Sequence, residues 1–264
     1  MQTTSEIELP LSVLIRTLNE EDRIEKTITS VLTLGAEIVV IDAGSKDGTV
    51  SIAKRMGAQV YFNPWPGFGP QRQFGEQKCT RRFVFSLDAD EVVTPELSTA
   101  IQTTLSQTNP PQLIVVRKAW VHPHHAKPTA FAFAHEQILI YDKNVARTGS
   151  NPNWDKLEIS IDESPIKLRP PLWHYSLRDL NHAVTKAVFV AQLAADTQKP
   201  RSRSGLLLRL PFEFPFSFLK AYVLRRYFIA GADGFNMAMS FAIGRYLRIA
   251  MMLERLDYGA RKSK

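Results

Sequence analysis

The sequence predicts an α/β fold, a sheet with parallel strands flanked by helices, continued by a C-terminal helical extension. Three observations predict it. Short apolar runs alternate with helix-periodic segments from Leu11 to Phe62, a β-α-β-α-β order that calls for a parallel sheet with helices on its faces. Carboxylates and other polar groups follow several of those runs, where ligands lie in open α/β sheets. Beyond Lys199 the pattern turns to helices rich in basic and aromatic residues.

In chain order, Leu11-Ser12-Val13-Leu14-Ile15-Arg16 is a nearly continuous apolar strand ending in Thr17-Leu18-Asn19-Glu20. A helix with apolar positions Ile24, Ile28, Val31 and Leu32 follows. Glu37 to Ile41 forms the next buried strand, and Asp42-Ala43-Gly44-Ser45 turns the chain into a helix through Ile52, Ala53 and Met56. Gln59 to Phe62 is a third strand. Pro64-Trp65-Pro66-Gly67-Phe68-Gly69-Pro70 is a rigid loop that feeds a helix opening at Gln71-Arg72-Gln73-Phe74. An arginine there suits a bidentate hold on a diphosphate, and also suits a plain exposed position.

Phe83-Val84-Phe85 runs into Ser86-Leu87-Asp88-Ala89-Asp90-Glu91. Two carboxylates one residue apart at a strand end offer the oxygen ligands that Mg²⁺ or Mn²⁺ prefers, with positions left for substrate phosphates. The competing interpretation is a solvated turn, with Asp90 capping the helix that opens at Thr94-Pro95-Glu96. Strands follow at Leu113–Val116 and Gln137–Tyr141, around the His-rich loop His122-Pro123-His124-His125. No Cys or His-Glu helix pattern supports zinc there, so the loop is expected to face an acceptor.

A helix is expected from Leu177 to about Asp196, a linker over Gln198–Gly205, and helices interrupted at Pro211 and Pro215. Two helices parted near Gly231-Ala232-Asp233-Gly234 complete the chain. Residues 1–197 then form the main domain and 198–264 the extension.

With 264 residues, 44% of them hydrophobic and 22% charged, the chain is long enough to bury a full core. Its single cysteine, Cys79, excludes an intramolecular disulfide framework and reads as a helix packing residue. The polar segment Met1–Pro10 lacks the pattern of a secretory signal, and charges interrupt every apolar stretch of the C-terminal third. The expected location is cytoplasmic, either free or peripheral on the inner face of the cytoplasmic membrane. Net charge +7 is compatible with phosphorylated substrates or anionic lipid. No nucleic-acid-binding signature is present, nor does G-x-G-x-x-G follow the first strand.

Four segments in order resemble the inverting family 2 glycosyltransferases of GT-A fold, especially bacterial lipopolysaccharide core β-1,4-glucosyltransferases. They are Thr17-Leu18-Asn19-Glu20, Val39-Val40-Ile41-Asp42-Ala43-Gly44-Ser45-Lys46-Asp47-Gly48-Thr49, Gly67-Phe68-Gly69-Pro70-Gln71-Arg72 and Ser86-Leu87-Asp88-Ala89-Asp90-Glu91. The likeness resumes at His174-Tyr175-Ser176-Leu177-Arg178-Asp179. It implies that Thr17, Asn19, Glu20 and Asp42 hold the nucleoside, that Arg72 lies near the diphosphate, that Asp88 addresses the ribose, and that Asp90 binds Mg²⁺ or Mn²⁺ with His174 completing the metal or phosphate shell. A hydrogen-bonded core histidine is the other interpretation of His174.

The resemblance also implies a carboxylate base that deprotonates the acceptor hydroxyl. The family's His-Glu-Arg-Leu-like segment matches best at Trp154-Asp155-Lys156-Leu157, which nominates Asp155, with Glu158 in reserve. The implied reaction moves glucose from UDP-glucose onto a lipopolysaccharide core or lipid-linked acceptor. The basic, aromatic extension, with Phe212, Phe214, Phe216, Phe218, Tyr222, Tyr227 and Phe228 beside Arg225 and Arg226, is expected either to seat on an anionic membrane or to pack inward. Two departures stand out: Leu139 where relatives often carry a basic residue, and Gln73 where many have Asn. A catalytically silent nucleotide-sugar-binding scaffold is the rival reading. A sugar-phosphate nucleotidyltransferase lacks its glycine-rich loop here.

Overall fold

The computed structural model describes residues 9–197 and 202–262. The chain divides into two compact units. The first comprises residues up to Ala119 together with Ala134–His174, and the second Trp120–Phe133 together with the chain from Tyr175 onward.

The first unit is built on an eight-stranded sheet. In chain order its elements are β1 (Leu11–Thr17), α1 (Ile24–Leu32), β2 (Glu37–Asp42), α2 (Thr49–Arg55), β3 (Gln59–Phe62), α3 (Phe68–Lys78), β4 (Phe83–Asp88), β5 (Glu91–Val93), α4 (Pro95–Leu105), β6 (Leu113–Trp120), β7 (Ala134–Asp142), β8 (Ala146–Thr148), β9 (Leu157–Ile159) and β10 (Ile166–His174). The sheet order is β3-β2-β1-β4-β7-β6-β10-β5, and β8 pairs with β9 in a separate two-stranded sheet. β1 is parallel to both β2 and β4, whereas β7 runs antiparallel to β4 and β6, and β10 antiparallel to β5. This is the expected α/β architecture, a mixed sheet flanked by helices.

The parallel half follows from its apolar runs, because a strand covered on both faces buries consecutive side chains. Leu11, Val13, Leu14, Ile15, Val39, Val40, Ile41, Phe83, Val84 and Phe85 are all fully buried. Helix α1 turns Ile24, Ile28 and Val31 inward and leaves Leu32 half exposed. Helix α4 is capped by Thr94, whose side chain accepts from Leu97 N, with Pro95 in the first turn. Asp90 therefore does not cap this helix. Cys79 ends α3 and is buried, which pushes its thiol up to about 12. Leu139, one of the two departures, is a core residue of the first unit.

The second unit contains α5 (Leu180–Thr197), α6 (Arg203–Leu219), a π-helical turn Lys220–Leu224, a 3₁₀ turn Tyr227–Ala230 and α7 (Gly231–Lys262). Residues 198–201 of the expected linker lie outside the described residues, and Ser202 caps α6 by accepting from Gly205 N. Contrary to expectation, α6 runs through both Pro211 and Pro215. The cost of an interior proline is a lost N–H bond and a crowded carbonyl one turn back. Those carbonyls belong to Leu207 and Pro211, both on the exposed side, where water can satisfy them. The expected break falls just before Gly231: Arg226 has φ +60° and Gly231 φ +58°, and α7 starts at that glycine. The aromatic residues divide. Tyr227, Phe218 and Tyr222 pack into a cluster with Trp120, Phe133 and Phe241, while Phe212, Phe216 and Phe228 face outward.

Candidate active site

The site is assembled at the carboxyl ends of β1, β2 and β4. Thr17 and Asp42 are register partners on adjacent strands, and Arg16 is paired with Asp88 across β1 and β4. Loop interactions then fix the turns. Asn19 adopts φ +55°, a conformation asparagine tolerates better than most residues, and its side chain accepts from Lys46 N while its own N–H donates to Ser45 Oγ at 2.8 Å. Asp42 accepts from the N–H groups of Gly44 and Ser45, both at 2.9 Å, and from the Ser45 hydroxyl. Its carboxylate thus builds the loop that surrounds it.

Helix α3 places Arg72. A Cβ on Gly75 would come within 2.4 Å of Leu14, so the helix lies directly on the sheet at that point. One turn earlier, Arg72 is buried, with 3% of its side chain exposed. The start of the same helix also pins the segment that carries Asp155, because Phe68 N donates to Pro152 O and Gly69 N to Asn151 O. Gln73, the other departure, donates to Thr148 O at 2.7 Å and so anchors β8.

Charged groups link most of the candidates. Arg16 reaches Asp88 at 2.5 Å and Asp155 at 2.8 Å, and Arg72 reaches the same Asp155 oxygen, Oδ2, at 2.8 Å. Burial alone would raise the Asp88 carboxyl, but Arg16, with Lys118 and Arg72 behind it, holds it well below the usual carboxylate range. Arg23 pairs with Glu20 and lies 3.8 Å from Asp90. Glu158 stays apart from this network: it is exposed on β9 and pairs with Arg147 at 3.5 Å.

Asp90, Glu91 and His174 form the metal-capable part. One ligand atom of each lies within 4.8 Å of the others. His174 Nε2 is 3.5 Å from Asp90 Oδ2, while Asp90 Oδ1 is buried without a hydrogen-bond partner among the described residues. A buried carboxylate oxygen left unpaired is costly, and a divalent cation would satisfy it, so oxygen and imidazole donors here fit Mg²⁺ or Mn²⁺. Burial raises the Asp90 carboxyl and lowers the His174 imidazolium, yet their mutual hydrogen bond and attraction win, moving Asp90 down and His174 up.

Glu91 is fully buried, paired with Lys118 at 2.6 Å, and accepts from Asp88 N at 3.0 Å. Burial pushes its carboxyl up, with Asp88 and Asp90 adding to the rise against Lys118 and His174. Sequence reasoning missed Arg16, Arg23, Lys118 and the role of Glu91. Charges inside the apolar runs of β1 and β6 were the available signals for Arg16 and Lys118.

The family model described as Glycosyl transferase family 2 matches residues 12–152. An uncharacterized glycosyltransferase of Rickettsia felis is 31% identical over 93% of this chain and 90% of its own length. The lipopolysaccharide core biosynthesis glycosyltransferase LpsC of Rhizobium meliloti is 26% identical over 96% of this chain and 95% of its own. Among solved structures, S. aureus TarS 1-349 overlays at a TM-score of 0.48 with 12% identity, covering 94% of this chain and 91% of that one, a likeness too slight to argue from. On the family match and the Rickettsia relative, the chain belongs to glycosyl transferase family 2 and is a glycosyltransferase.

Proposed function

We propose that the protein is a metal-dependent, inverting hexosyltransferase that moves glucose from UDP-glucose onto a lipopolysaccharide core or lipid-linked acceptor. The observation that carries the metal part is the buried Oδ1 of Asp90, without a hydrogen-bond partner among the described residues, beside Glu91 and His174. Asp90 and His174 would hold Mg²⁺ or Mn²⁺, which supplies positive charge against the departing nucleoside diphosphate. Thr17, Asn19, Glu20 and Asp42 line the strand ends where the nucleoside would lie, with Asp88 toward the ribose. Arg72 contributes a cation on the diphosphate side.

For the base, the ion pairs of Asp155 with Arg16 and Arg72 support it over Glu158, which pairs with Arg147 on exposed β9. Its Oδ2 meets both guanidiniums, which orients the group, and Oδ1 would receive the acceptor hydroxyl's proton. The proton passes to Oδ1 as the acceptor oxygen attacks the anomeric carbon opposite the leaving diphosphate. The likeness to LpsC supports a lipopolysaccharide core acceptor.

An acceptor of that kind is presented at a membrane, and α6 offers a surface for it. Leu208, Phe212 and Phe216 are 72%, 65% and 66% exposed at helical spacing, and Leu219, Val223 and Leu224 extend the same row. Lys220 and Arg226 flank it, the combination that lies in a headgroup interface. Among the described residues no helix is long and apolar enough to cross a membrane.

The test is nucleotide release from a panel of nucleotide-sugars with Mn²⁺, Mg²⁺ or EDTA, comparing wild type with Asp90→Ala and Asp155→Asn. Metal-dependent release from UDP-glucose, lost in both variants, is expected. Release that persists in EDTA or in Asp90→Ala would refute the metal role.

A further inference from the structure

The helical unit contains a cavity of about 370 Å³. Its α5 wall is made of Ala183, Ala187, Ala191 and Ala194, which share one helix face. The facing α7 wall runs through Met237, Phe241 and Gly244. A Cβ on Gly244 would sit 3.0 Å from that of Ala187, so the two helices touch there, and the cavity is the room their small side chains leave.

Charge around this space is one-sided. Among the described residues no acidic one lines it, whereas Lys186, Arg245 and Arg248 do. Among the described residues, Glu213 meets Arg245 and Arg209 at 2.8 Å and Arg248 at 3.6 Å, one carboxylate facing several cations. Lys186 Nζ donates to the carbonyl and hydroxyl oxygens of Ser176, both at 3.1 Å, and has no carboxylate partner among the described residues.

We propose that this cavity takes the hydrocarbon chain of an anionic amphiphile, a single alkyl or acyl chain whose phosphate or carboxylate rests against Lys186 and Arg248. Three physical arguments select that occupant. Water gains few hydrogen bonds in an apolar space. The polar side chains in the lining, Ser176, Ser240 and His122 among them, are outnumbered by apolar ones, so a sugar or nucleobase would bury most of its polar groups against alanine, methionine and phenylalanine walls. The surplus of cations at the edge favours an anion over a neutral or cationic head. Two sources supply such a molecule, a bilayer phospholipid and the lipid anchor of a glycan acceptor. The site shares no residue with the carboxylate cluster, so its test is independent of the transfer reaction.

Dodecyl phosphate, kept below its micelle threshold, is titrated into the full-length protein by calorimetry and by fluorescence of Trp120, which lines the cavity. Trp120→Phe identifies that residue's share of the signal. Saturable binding is expected, at least about tenfold weaker for butyl phosphate and for neutral dodecyl maltoside. Ala191→Phe fills the cavity and should abolish binding. Ala194→Leu is a milder obstruction that keeps the question open if the first variant misfolds, and both are checked by circular dichroism. Lys186→Gln should weaken the anionic ligand and leave the neutral one unchanged. Equal binding by wild type and a folded obstructing variant, or indifference to chain length and head charge, would overturn the proposal. Displacement of dodecyl phosphate by phosphatidylglycerol vesicles assigns a bilayer source, and displacement by rough lipopolysaccharide alone assigns the acceptor's anchor; displacement by neither counts against the site.

Discussion

Two buried acidic centres in this protein meet cations in opposite ways. In the sheet unit, Asp90 and Glu91 share their surroundings with His174 and Lys118, and Asp90 keeps one oxygen without a hydrogen-bond partner among the described residues. In the helical unit, Glu213 is surrounded by Arg209, Arg245 and Arg248. Among the described residues both Glu213 oxygens have a guanidinium within ion-pair distance, whereas the cations near Asp90 reach only Oδ2. A buried carboxylate is therefore no sign of a metal site by itself, and what separates the cases is the ratio of acids to cations around it.

The sharpest way to break the comparison is Asp90→Asn. If Asp90 supplies the metal ligand, turnover of the nucleotide-sugar should fall roughly 10³-fold, equivalent to about 4 kcal/mol of transition-state stabilisation. Steady-state assays at saturating donor and Mn²⁺ measure this, and retention of activity within tenfold would dissolve the distinction.

Glu213→Leu is the mirror experiment. Removing the carboxylate takes one ion-pair partner from each of three arginines and should cost about 3 kcal/mol in urea unfolding, with turnover of the folded enzyme preserved. An unchanged midpoint would mean that the arginines are satisfied without it. Lys118→Met deprives buried Glu91 of its cation, and a somewhat smaller loss, about 2 kcal/mol, is expected by the same measurement.

Acid titration probes the helical centre more gently. Burial alone would raise the Glu213 carboxyl, but the hydrogen bond from Arg209 and the charges of Arg245, Arg209 and Arg248 hold it below its ordinary value. A depressed folded pKa contributes stability above the unfolded value, about 4.3 for glutamate, and that contribution fades as pH falls through the folded one. Wild type should accordingly lose stability more steeply than Glu213→Gln below about pH 4.3, as read from chemical denaturation across pH. The smallest effect belongs to Phe212→Ser, on the exposed row of α6. Stability should stay within about 0.5 kcal/mol, while sedimentation with phosphatidylglycerol liposomes should drop; a large loss of stability would show that Phe212 packs against protein.

Much of the sheet unit was legible because its information is local. Apolar runs marked β1, β2 and β4, and the polar residues that follow them lie where parallel strands end. Helix α6 was misread because Pro211 and Pro215 were judged by propensity alone, and propensity does not register that Leu207 and Pro211, whose carbonyls lose their partners, are exposed residues. The aromatic residues of the extension could not be sorted from sequence either, since Phe216 and Phe218 differ only in which way the helix turns them.

The sequence by itself determined the α/β class, the order of the parallel strands' carboxylates and the family, all of which rest on runs of residues close together in the chain. Only the tertiary structure decided that Arg16 would bind Asp88 and Asp155, that Lys118 would neutralise Glu91, and that Glu213 would be enclosed by three arginines. Those pairings join residues from separate strands and helices. Charge, unlike apolar periodicity, leaves no repeating pattern along the chain to say which partner a side chain will meet.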